Sequence, residues 1–521
     1  FRAQRDVSSK KFYKPGIDAD DLKKRREDQN FSVRKKKREE QMKKRRQIEA
    51  PAIPDSADTR KFSKQEVVEQ LQNLPATVQK LQSAVVSERH AAVVTLRKLL
   101  SIEKNPPIGE IIDSNALKPL ITILTQDPDR NNQFEAAWAL TNVASGPSEY
   151  THRLLREKGA EAFVEKLKES NDSLVKEQAV WAIGNIAGDK HPCRDYLLHL
   201  GAMQLLMDVT KTDVKLPLRR NAVWAMSNLC RGKPVPPFEA ILPAIPVFAE
   251  LLKDEDETVV SDACWAISYI SDEEDDRKMQ SILKRGVAQS IVVLLGSKNP
   301  IVQTPALRVM GNIVTGSDFQ TQLLISAGCL PVLKALLDDP ATKKNTKREV
   351  CWTLSNITAG SKTQIAAVIE ASVADSLIYH MKESDFDICK EAAWAIANAT
   401  SSASPEQITK LVQKGCIEPL CQLVRAPDIR VVSVSLEGID NILKNGENLK
   451  AHNNHINPFV QVIEHTNSVG YLEELLEHPN MPIYDKAKSI LSTYFNYDGE
   501  EQNTPNVFSL QTDKPATGFS F

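Results

Sequence analysis

The sequence predicts an all-α protein made of tandem helical repeats, and three observations support this. A short apolar motif recurs along most of the 521 residues at nearly constant spacing. Apolar segments lie between copies of the motif and follow Gly159, Gly201, Gly286, Gly328 and Gly415, which gives at least two helices per repeat. The hydrophobic content of 41% allows a large core, although the chain exceeds the usual size of one compact core.

The recurring motif has a period of about 42 residues. Its copies are AAWALTNVA (136–144), AVWAIGNIA (179–187), AVWAMSNLC (222–230), ACWAISYIS (263–271), ALRVMGNIV (306–314), VCWTLSNIT (350–358) and AAWAIANAT (392–400). Their third positions are Trp138, Trp181, Trp224, Trp265, Arg308, Trp352 and Trp394. This period is typical of HEAT and armadillo arrays, and weaker copies near 85–100 and 434–496 predict capping repeats, about ten repeats in all.

The charges divide the chain into a basic arm and an acidic body. Residues 1–50 hold 18 Lys/Arg and 9 Asp/Glu, whereas the remainder holds 48 and 59, respectively. We therefore expect three parts: a basic arm and linker (1–60), a repeat domain (61–496) and a disordered polar tail (497–521). An acidic repeat domain favours a cationic ligand.

Residues 18–48 of the arm can form a helix, since pairs such as Glu39–Lys43 favour one. The segment lacks a continuous apolar stripe, so we expect it to fold only when it meets an acidic partner.

A helical wheel separates two faces of the motif. With Trp138 at 0° and roughly 100° per residue, Asn142 lies near 40°. Ala136, Ala137 and Leu140 lie on the other side, and their equivalents are small or aliphatic in every copy. The wheel predicts that Trp and Asn point away from the core, together with polar residues three positions before the Trp. These are Glu135, Gln178, Asn221, Asp262, Glu349 and Glu391.

Such a ladder of Trp, Asn and carboxylates suits a basic, extended peptide. Parallel indole faces would form slots for Lys or Arg stems, with cation–π attraction of about 0.5–2 kcal/mol each. Carboxylates would accept the cationic group, and an Asn amide can bond both N–H and C=O of a ligand backbone.

The ladder is interrupted in its middle. Tyr269 stands where Asn is expected, and Arg308 replaces Trp. Two binding segments result, one around Trp138, Trp181 and Trp224 and the other around Trp352 and Trp394. The acidic run 272–276 between them is either a solvated loop or a contact for a ligand's linker.

The chain resembles the importin α (karyopherin α) family. The Trp/Asn pairs resemble its armadillo domain, and KKFYKPGID (10–18), KKRRED (23–28), RKKKRE (34–39) and KKRR (43–46) resemble its importin-β-binding segment. The resemblance implies a right-handed superhelical armadillo solenoid. It also implies a nuclear import adaptor, with nuclear localisation signals of cargo, importin β and a recycling exportin with Ran-GTP as partners.

The resemblance also implies the site residues. The first set, for the major signal site, is Trp138, Asn142, Gly146, Thr151, Gln178, Trp181, Asn185, Asp189, Trp224 and Asn228, with Asp189 taking the key lysine. The second set, for the minor site, is Asn312, Asp318, Glu349, Trp352, Asn356, Glu391, Trp394 and Asn398.

The resemblance further implies which arm residues bind importin β or inhibit the groove: Lys23, Lys24, Arg25, Arg26, Arg34, Lys35, Lys36, Lys37, Arg38, Lys43, Lys44, Arg45 and Arg46. Lys43–Arg46 has the composition the groove accepts, and Lys44 would enter the Asp189 slot when cargo is absent.

Other classes of function fit less well. An armadillo scaffold for acidic or phosphorylated peptides needs a basic groove, and a nucleic-acid role would rest on the basic arm alone. Motifs for an enzyme are missing, and no cofactor is expected. The eight Cys look like small core residues, while His90, His152 and His191 look isolated. We expect a soluble, non-secreted protein that shuttles between cytoplasm and nucleus.

Overall fold

The computed structural model describes residues 62–211, 214–272, 275–450, 453 and 455–495, and in these residues it contains helices but no strands. The prediction of an all-α repeat fold is confirmed. Of the three predicted parts, the arm (1–60) and the tail (497–521) lie outside the described residues, which therefore do not test that division.

Thirty α-helices and one short 3-10 helix are present in the described residues. In chain order the α-helices are α1 Lys64–Gln72, α2 Leu74–Lys80, α3 Val86–Leu100, α4 Ile108–Asp113, α5 Leu117–Gln126, α6 Arg130–Ala144, α7 Ser148–Arg156, α8 Gly159–Glu169, α9 Ser173–Ala187, α10 His191–His199, α11 Ala202–Asp208, α12 Leu216–Leu229, α13 Phe238–Ile241, α14 Ala244–Leu251, α15 Glu257–Ile270, α16 Asp276–Leu283, α17 Val287–Leu295, α18 Pro300–Val314, α19 Asp318–Ser326, α20 Cys329–Asp338, α21 Lys344–Thr358, α22 Lys362–Glu370, α23 Val373–Glu383, α24 Phe386–Ser402, α25 Pro405–Gln413, α26 Ile417–Leu423, α27 Ile429–Leu449, α28 Pro458–His465, α29 Val469–Glu473 and α30 Met481–Tyr494. The 3-10 helix Glu474–Glu477 lies between α29 and α30.

The chain forms two compact units, Phe1–Ala367 and Val368–Phe521, and the boundary falls within α22. In the first unit every third helix carries the recurring motif and packs against the next helix of that kind. This series, called the inner helices here, is α3, α6, α9, α12, α15, α18 and α21. In the second unit α24 and α27 pack against each other in the same way.

Four of the seven inner helices begin at side-chain caps. Asp129, Asp172 and Asp256 each accept hydrogen bonds from backbone N–H groups of the first turn, and Asn299 does the same for α18. Capping by short polar side chains fixes the start of these four helices, whereas α3, α12 and α21 begin without a side-chain cap.

The middle helix of most repeats follows a residue in the left-handed conformation. Gly201, Gly286 and Gly328 have φ of 77°, 72° and 87°, a region in which glycine is not strained. At the corresponding turn before α8 the left-handed residue is Lys158, and Gly159 instead begins the helix.

The apolar face of the motif forms the core, as the helical wheel predicts. Ala136, Ala137, Leu140 and Val143 are all fully buried in α6. In the described segments no single helix is long and apolar enough to cross a membrane, although the bent pair α19 and α20 reaches that length and hydropathy when taken together.

Candidate functional site

The first set of site residues is assembled on three neighbouring inner helices. Trp138 lies on α6, Trp181 on α9 and Trp224 on α12, and these helices pack in that order. The Asn of each motif follows one turn later on the same helix. Gly146 and Asp189 lie in the turns that follow α6 and α9.

The Trp/Asn face is much less exposed than the helical wheel predicts, and that part of the prediction is wrong. Trp181 is 8% exposed and Trp265 is 7% exposed, while the other four Trp are half-buried. Asn185 is completely buried. The wheel treats each helix alone, whereas in the folded protein the neighbouring repeat covers much of this face.

A glycine three positions after Trp181 and another three positions after Arg308 let the next repeat approach closely. A Cβ atom on Gly184 would lie 2.2 Å from the Trp224 ring, and one on Gly311 would lie 2.5 Å from the Trp352 ring. Each indole therefore lies directly on the backbone of the preceding inner helix. The Gly-Asn pairs in the second and fifth copies of the motif were the only sequence signal of this packing.

The Trp181 and Trp224 rings are tilted rather than parallel. Their centroids are 6.0 Å apart with an interplanar angle of 52°. Aromatic pairs prefer such tilted arrangements to a face-to-face sandwich. The prediction of parallel indole faces is therefore wrong for Trp181 and Trp224, whose ring planes are inclined to each other.

The Asn amides connect successive inner helices. Asn185 Nδ2 donates to the carbonyl of Thr141 at 3.4 Å, Asn228 Nδ2 to that of Gly184 at 3.0 Å, and Asn312 Nδ2 to that of Ser268 at 2.9 Å. In each case the acceptor lies 44 residues earlier in the chain. The Asn side chains therefore contribute to the repeat fold, a role that the sequence analysis missed.

The other two motif Asn of the first unit do not bond the backbone of the preceding inner helix. Asn142 Nδ2 donates to Ser101 Oγ at 3.0 Å, and Asn356 Nδ2 donates to the carbonyl of Trp352 on its own helix at 3.2 Å.

One Asn oxygen lacks a partner. Asn185 Oδ1 is buried and accepts no hydrogen bond. A buried acceptor without a partner costs about 1–3 kcal/mol, so such a group in a native fold calls for an explanation. A ligand N–H would supply the missing donor once the side chains around Asn185 move aside.

Asp189 presents a carboxylate with no cationic partner among the described residues. It is half-buried, and its Oδ2 accepts a hydrogen bond from Ser148 Oγ at 2.7 Å. Arg231 lies nearby, but its Nη2 donates to the backbone carbonyl of Gly188 at 3.0 Å. Asp189 is thus a charge that a ligand cation can neutralise.

Three further members of the first set have mainly structural contacts. Thr151 is fully buried, and its Oγ1 donates to the carbonyl of Ala144 at 3.4 Å. Gly146 leaves room for the side chains of Ile108 and Tyr150. Gln178 is buried, and its backbone carbonyl accepts from Thr141 Oγ1.

Glu135 is the first of the six polar residues that lie three positions before a motif Trp, and its carboxylate is not available to a ligand. Glu135 is buried and forms a two-point ion pair with Arg97, at 2.6 and 3.3 Å. The Arg97 guanidinium also lies 4.7 Å from the centre of the Trp138 ring. Arg97 thus occupies one face of Trp138. The sequence did not predict this contact, because the motif copy near residues 85–100 is weak.

The interruption of the ladder is a compact aromatic pair. Tyr269 stacks on Trp265 of the same helix, with centroids 6.0 Å apart and an interplanar angle of 24°. Arg308 is half-buried on α18. In the acidic run, Asp275 caps α16 and pairs with Arg277, while residues 273 and 274 lie outside the described part of the chain.

The second set divides between the two units. In the first unit Asn312 is on α18, Asp318 is exposed at the start of α19, and Glu349, Trp352 and Asn356 lie on α21. In the second unit Glu391, Trp394 and Asn398 lie on α24, where Glu391 and Asn398 are buried.

His152 is not isolated, which corrects the sequence analysis. Its Nε2 lies 3.7 Å from Cys193 Sγ, and Cys193 Sγ lies 3.7 Å from Asp189 Oδ2. Burial raises the pKa of the Cys193 thiol to about 11, with a further contribution from the Asp189 charge. His152 lies 41 residues before Cys193 in the chain, so sequence spacing could not reveal the cluster.

Comparison with known protein families matches most of the chain between residues 9 and 507. Residues 9–94 match the importin beta binding domain, and residues 457–507 match the atypical Arm repeat. The armadillo/beta-catenin-like repeat matches residues 104–145, 190–231, 239–272, 317–359, 361–401 and 404–444. The fold and these matches define an armadillo-repeat protein.

Curated relatives identify the family. The chain is 44% identical to importin subunit alpha-4 of Arabidopsis thaliana over 532 aligned positions, which cover 98% of both chains. It is 45% identical to importin subunit alpha-1a of Oryza sativa subsp. japonica, covering 97% of this chain and 95% of the relative. The chain belongs to the importin α family of nuclear import adaptors. Among solved structures, the crystal structure of an engineered protein matches 81% of this chain and 98% of its own length, with a TM-score of 0.71 and 26% identity.

The close approach at Gly184 predicts a specific substitution effect. Gly184→Ala would place its new methyl group within the Trp224 ring, so we expect a loss of about 1–3 kcal/mol of stability from overpacking. Near-ultraviolet circular dichroism should report a changed Trp environment, and thermal unfolding should begin at a lower temperature. Gly470→Ala is the control, because nothing lies within 4 Å of its Cβ position. Equal behaviour of the two variants would contradict the close contact.

Proposed function

We propose that this chain binds lysine- and arginine-rich nuclear localisation signals of cargo along its inner helices, with the first set as the main site. The observation that carries the proposal is the half-buried Asp189 carboxylate, which has no cationic partner in the described residues and lies beside the Trp181 and Trp224 helices. The ammonium group of a peptide lysine would neutralise this carboxylate.

The aromatic groups would hold the stem of the same lysine. Trp224 is half-buried and lies on Gly184, so one edge of its ring remains open to a ligand. A lysine stem that packs against the indole places its ammonium group near a negative ring face, which contributes about 0.5–2 kcal/mol.

The Asn side chains would bind the peptide backbone through their amide oxygens. Each bridging Asn uses one amide donor on the preceding repeat, which leaves its oxygen for a ligand N–H. The unpartnered Asn185 oxygen supports this role. Because Asn185 is fully buried, peptide entry requires movement of neighbouring side chains.

The second set would bind a second basic cluster of longer signals. In the first unit Trp352 lies on Gly311 as Trp224 lies on Gly184, and Asp318 is exposed close by in sequence. In the second unit Trp394 and Asn398 repeat the motif on α24. Two linked clusters gain roughly 10²–10⁴-fold in affinity when the linker reaches both.

The basic arm would bind importin β and compete with cargo. The family match over residues 9–94 supports importin-β binding, and it extends past residue 60 into α1, α2 and α3. Lys43–Arg46 has the charge of a signal, and a tether gives an effective concentration of roughly millimolar. Importin β would remove the arm and so favour cargo binding, with reciprocal coupling.

The remaining partners follow from this role. A recycling exportin with Ran-GTP would act at the C-terminal repeats, and the chain would shuttle between cytoplasm and nucleus. The role is one of binding rather than catalysis, as for the transport adaptors it resembles. The alternative, an armadillo scaffold for other peptides, lacks a specific observation in its favour.

The main site makes a direct prediction about Asp189. Asp189→Ala should weaken binding of a lysine-rich peptide by about 2–3 kcal/mol, because one buried ammonium group loses its counter-charge. Isothermal titration with a single-cluster peptide measures this change. Asp113→Ala is the matched control, since that carboxylate is exposed and pairs with Arg153 at 2.5 Å. A wild-type affinity for Asp189→Ala would show that the lysine lies elsewhere.

The arm makes a separate prediction. Removal of residues 1–60 should tighten binding of the same peptide in the absence of importin β, because the competing segment is gone, and should abolish importin-β binding. Titrations of the complete and shortened chains under identical salt conditions compare the two. Identical peptide affinities would refute autoinhibition and leave the peptide site itself standing.

A further inference from the structure

Three metal-binding side chains meet beside the main site. His152 on α7, Asp189 after α9 and Cys193 on α10 each offer one ligand atom, and these atoms lie within 4.8 Å of one another. The separation is 3.7 Å both from Cys193 Sγ to His152 Nε2 and from Cys193 Sγ to Asp189 Oδ2.

The two separations from Cys193 Sγ fit a tetrahedral zinc ion. Zinc bonds of about 2.3 Å to sulfur and about 2.0–2.1 Å to nitrogen or oxygen place a sulfur ligand roughly 3.5–3.6 Å from a nitrogen or oxygen ligand of the same tetrahedral site. The observed 3.7 Å separations therefore need little adjustment around a central ion. Imidazole, thiolate and carboxylate together are a ligand set suited to zinc.

Ser148 contacts two of the three side chains. Ser148 Oγ donates to Asp189 Oδ2 at 2.7 Å and lies 3.5 Å from His152 Nδ1. A metal-bound histidine that uses Nε2 needs a partner for its other ring nitrogen, and the Ser148 hydroxyl is placed to provide it. His152 and Asp189 are half-buried rather than enclosed, so solvent reaches the cluster.

We propose that His152, Asp189 and Cys193 form a Zn²⁺ site that competes with the lysine of a bound peptide. On binding, the Cys193 thiol loses its proton to solvent and its sulfur bonds the metal, while His152 Nε2 and an Asp189 oxygen complete three ligands. Water takes the fourth position. The competition rests on the proposed function, because it requires that the peptide lysine bind Asp189. The metal site itself does not depend on the proposed function.

Cobalt(II) tests the metal site directly in the complete, tag-free chain. Co²⁺ should give a thiolate-to-cobalt charge-transfer band that saturates at one equivalent and disappears when Zn²⁺ is added. The band should be absent in Cys193→Ser and in His152→Gln. Because His152 is half-buried, its variant is expected to keep the fold, which circular dichroism can verify.

Cys329→Ser is the matched control, since Cys329 is also a buried thiol in the first turn of a helix. It should keep the band. Failure of the parent chain to give a band, or persistence of the band in both Cys193→Ser and His152→Gln, would overturn the metal site.

Peptide titrations test the competition. One equivalent of Zn²⁺ should weaken binding of a lysine-rich peptide about tenfold or more, which corresponds to loss of one charge-assisted bond. His152→Gln should bind the peptide equally with and without zinc. An unchanged affinity in the zinc-loaded parent chain would overturn the competition. A peptide that fails to bind the metal-free chain would instead refute the proposed function, and the cobalt band would still decide the metal site.

Discussion

The packing of each inner helix against the next is the constraint on which the rest of the first unit depends. A single repeat cannot bury its apolar face alone, so the stability of an array lies largely in the contacts between neighbours. Here those contacts include a side-chain bond of fixed register, from the Asn228 amide to the carbonyl of Gly184. The indole of Trp224 packs at the same glycine. A shift between the helices would break both contacts together.

The same residues therefore serve the fold and the proposed site. One donor of each bridging Asn holds the preceding repeat, while the oxygen remains for a ligand, most clearly in Asn185. Asp189 is held by the Ser148 hydroxyl instead of by a basic side chain. A carboxylate oriented in this way and left without a counter-charge is prepared for a cation.

The sequence predicted the repeat fold well because its signal is repeated many times. The apolar positions of the motif, such as Ala136 and Leu140, are buried as the wheel requires. Apart from the two Gly-Asn pairs, the sequence carried no signal of contacts between repeats, since a helical wheel describes one helix at a time. For this reason it overestimated the exposure of Trp181 and Asn185, missed Arg97 on Trp138, and treated His152 as isolated. The positions of Trp and Asn along the chain carry no information about which neighbour covers them.

We propose that an extended basic peptide lies along the inner helices with a lysine at Asp189, and a crystal structure of the complete chain with a lysine-rich peptide would test this binding mode. We expect one lysine ammonium group within hydrogen-bond distance of the Asp189 carboxylate, its stem against Trp224, and a peptide N–H donating to Asn185 Oδ1. A peptide bound away from the inner helices, or a lysine paired with another carboxylate while Asp189 has no cation beside it, would argue against this binding mode.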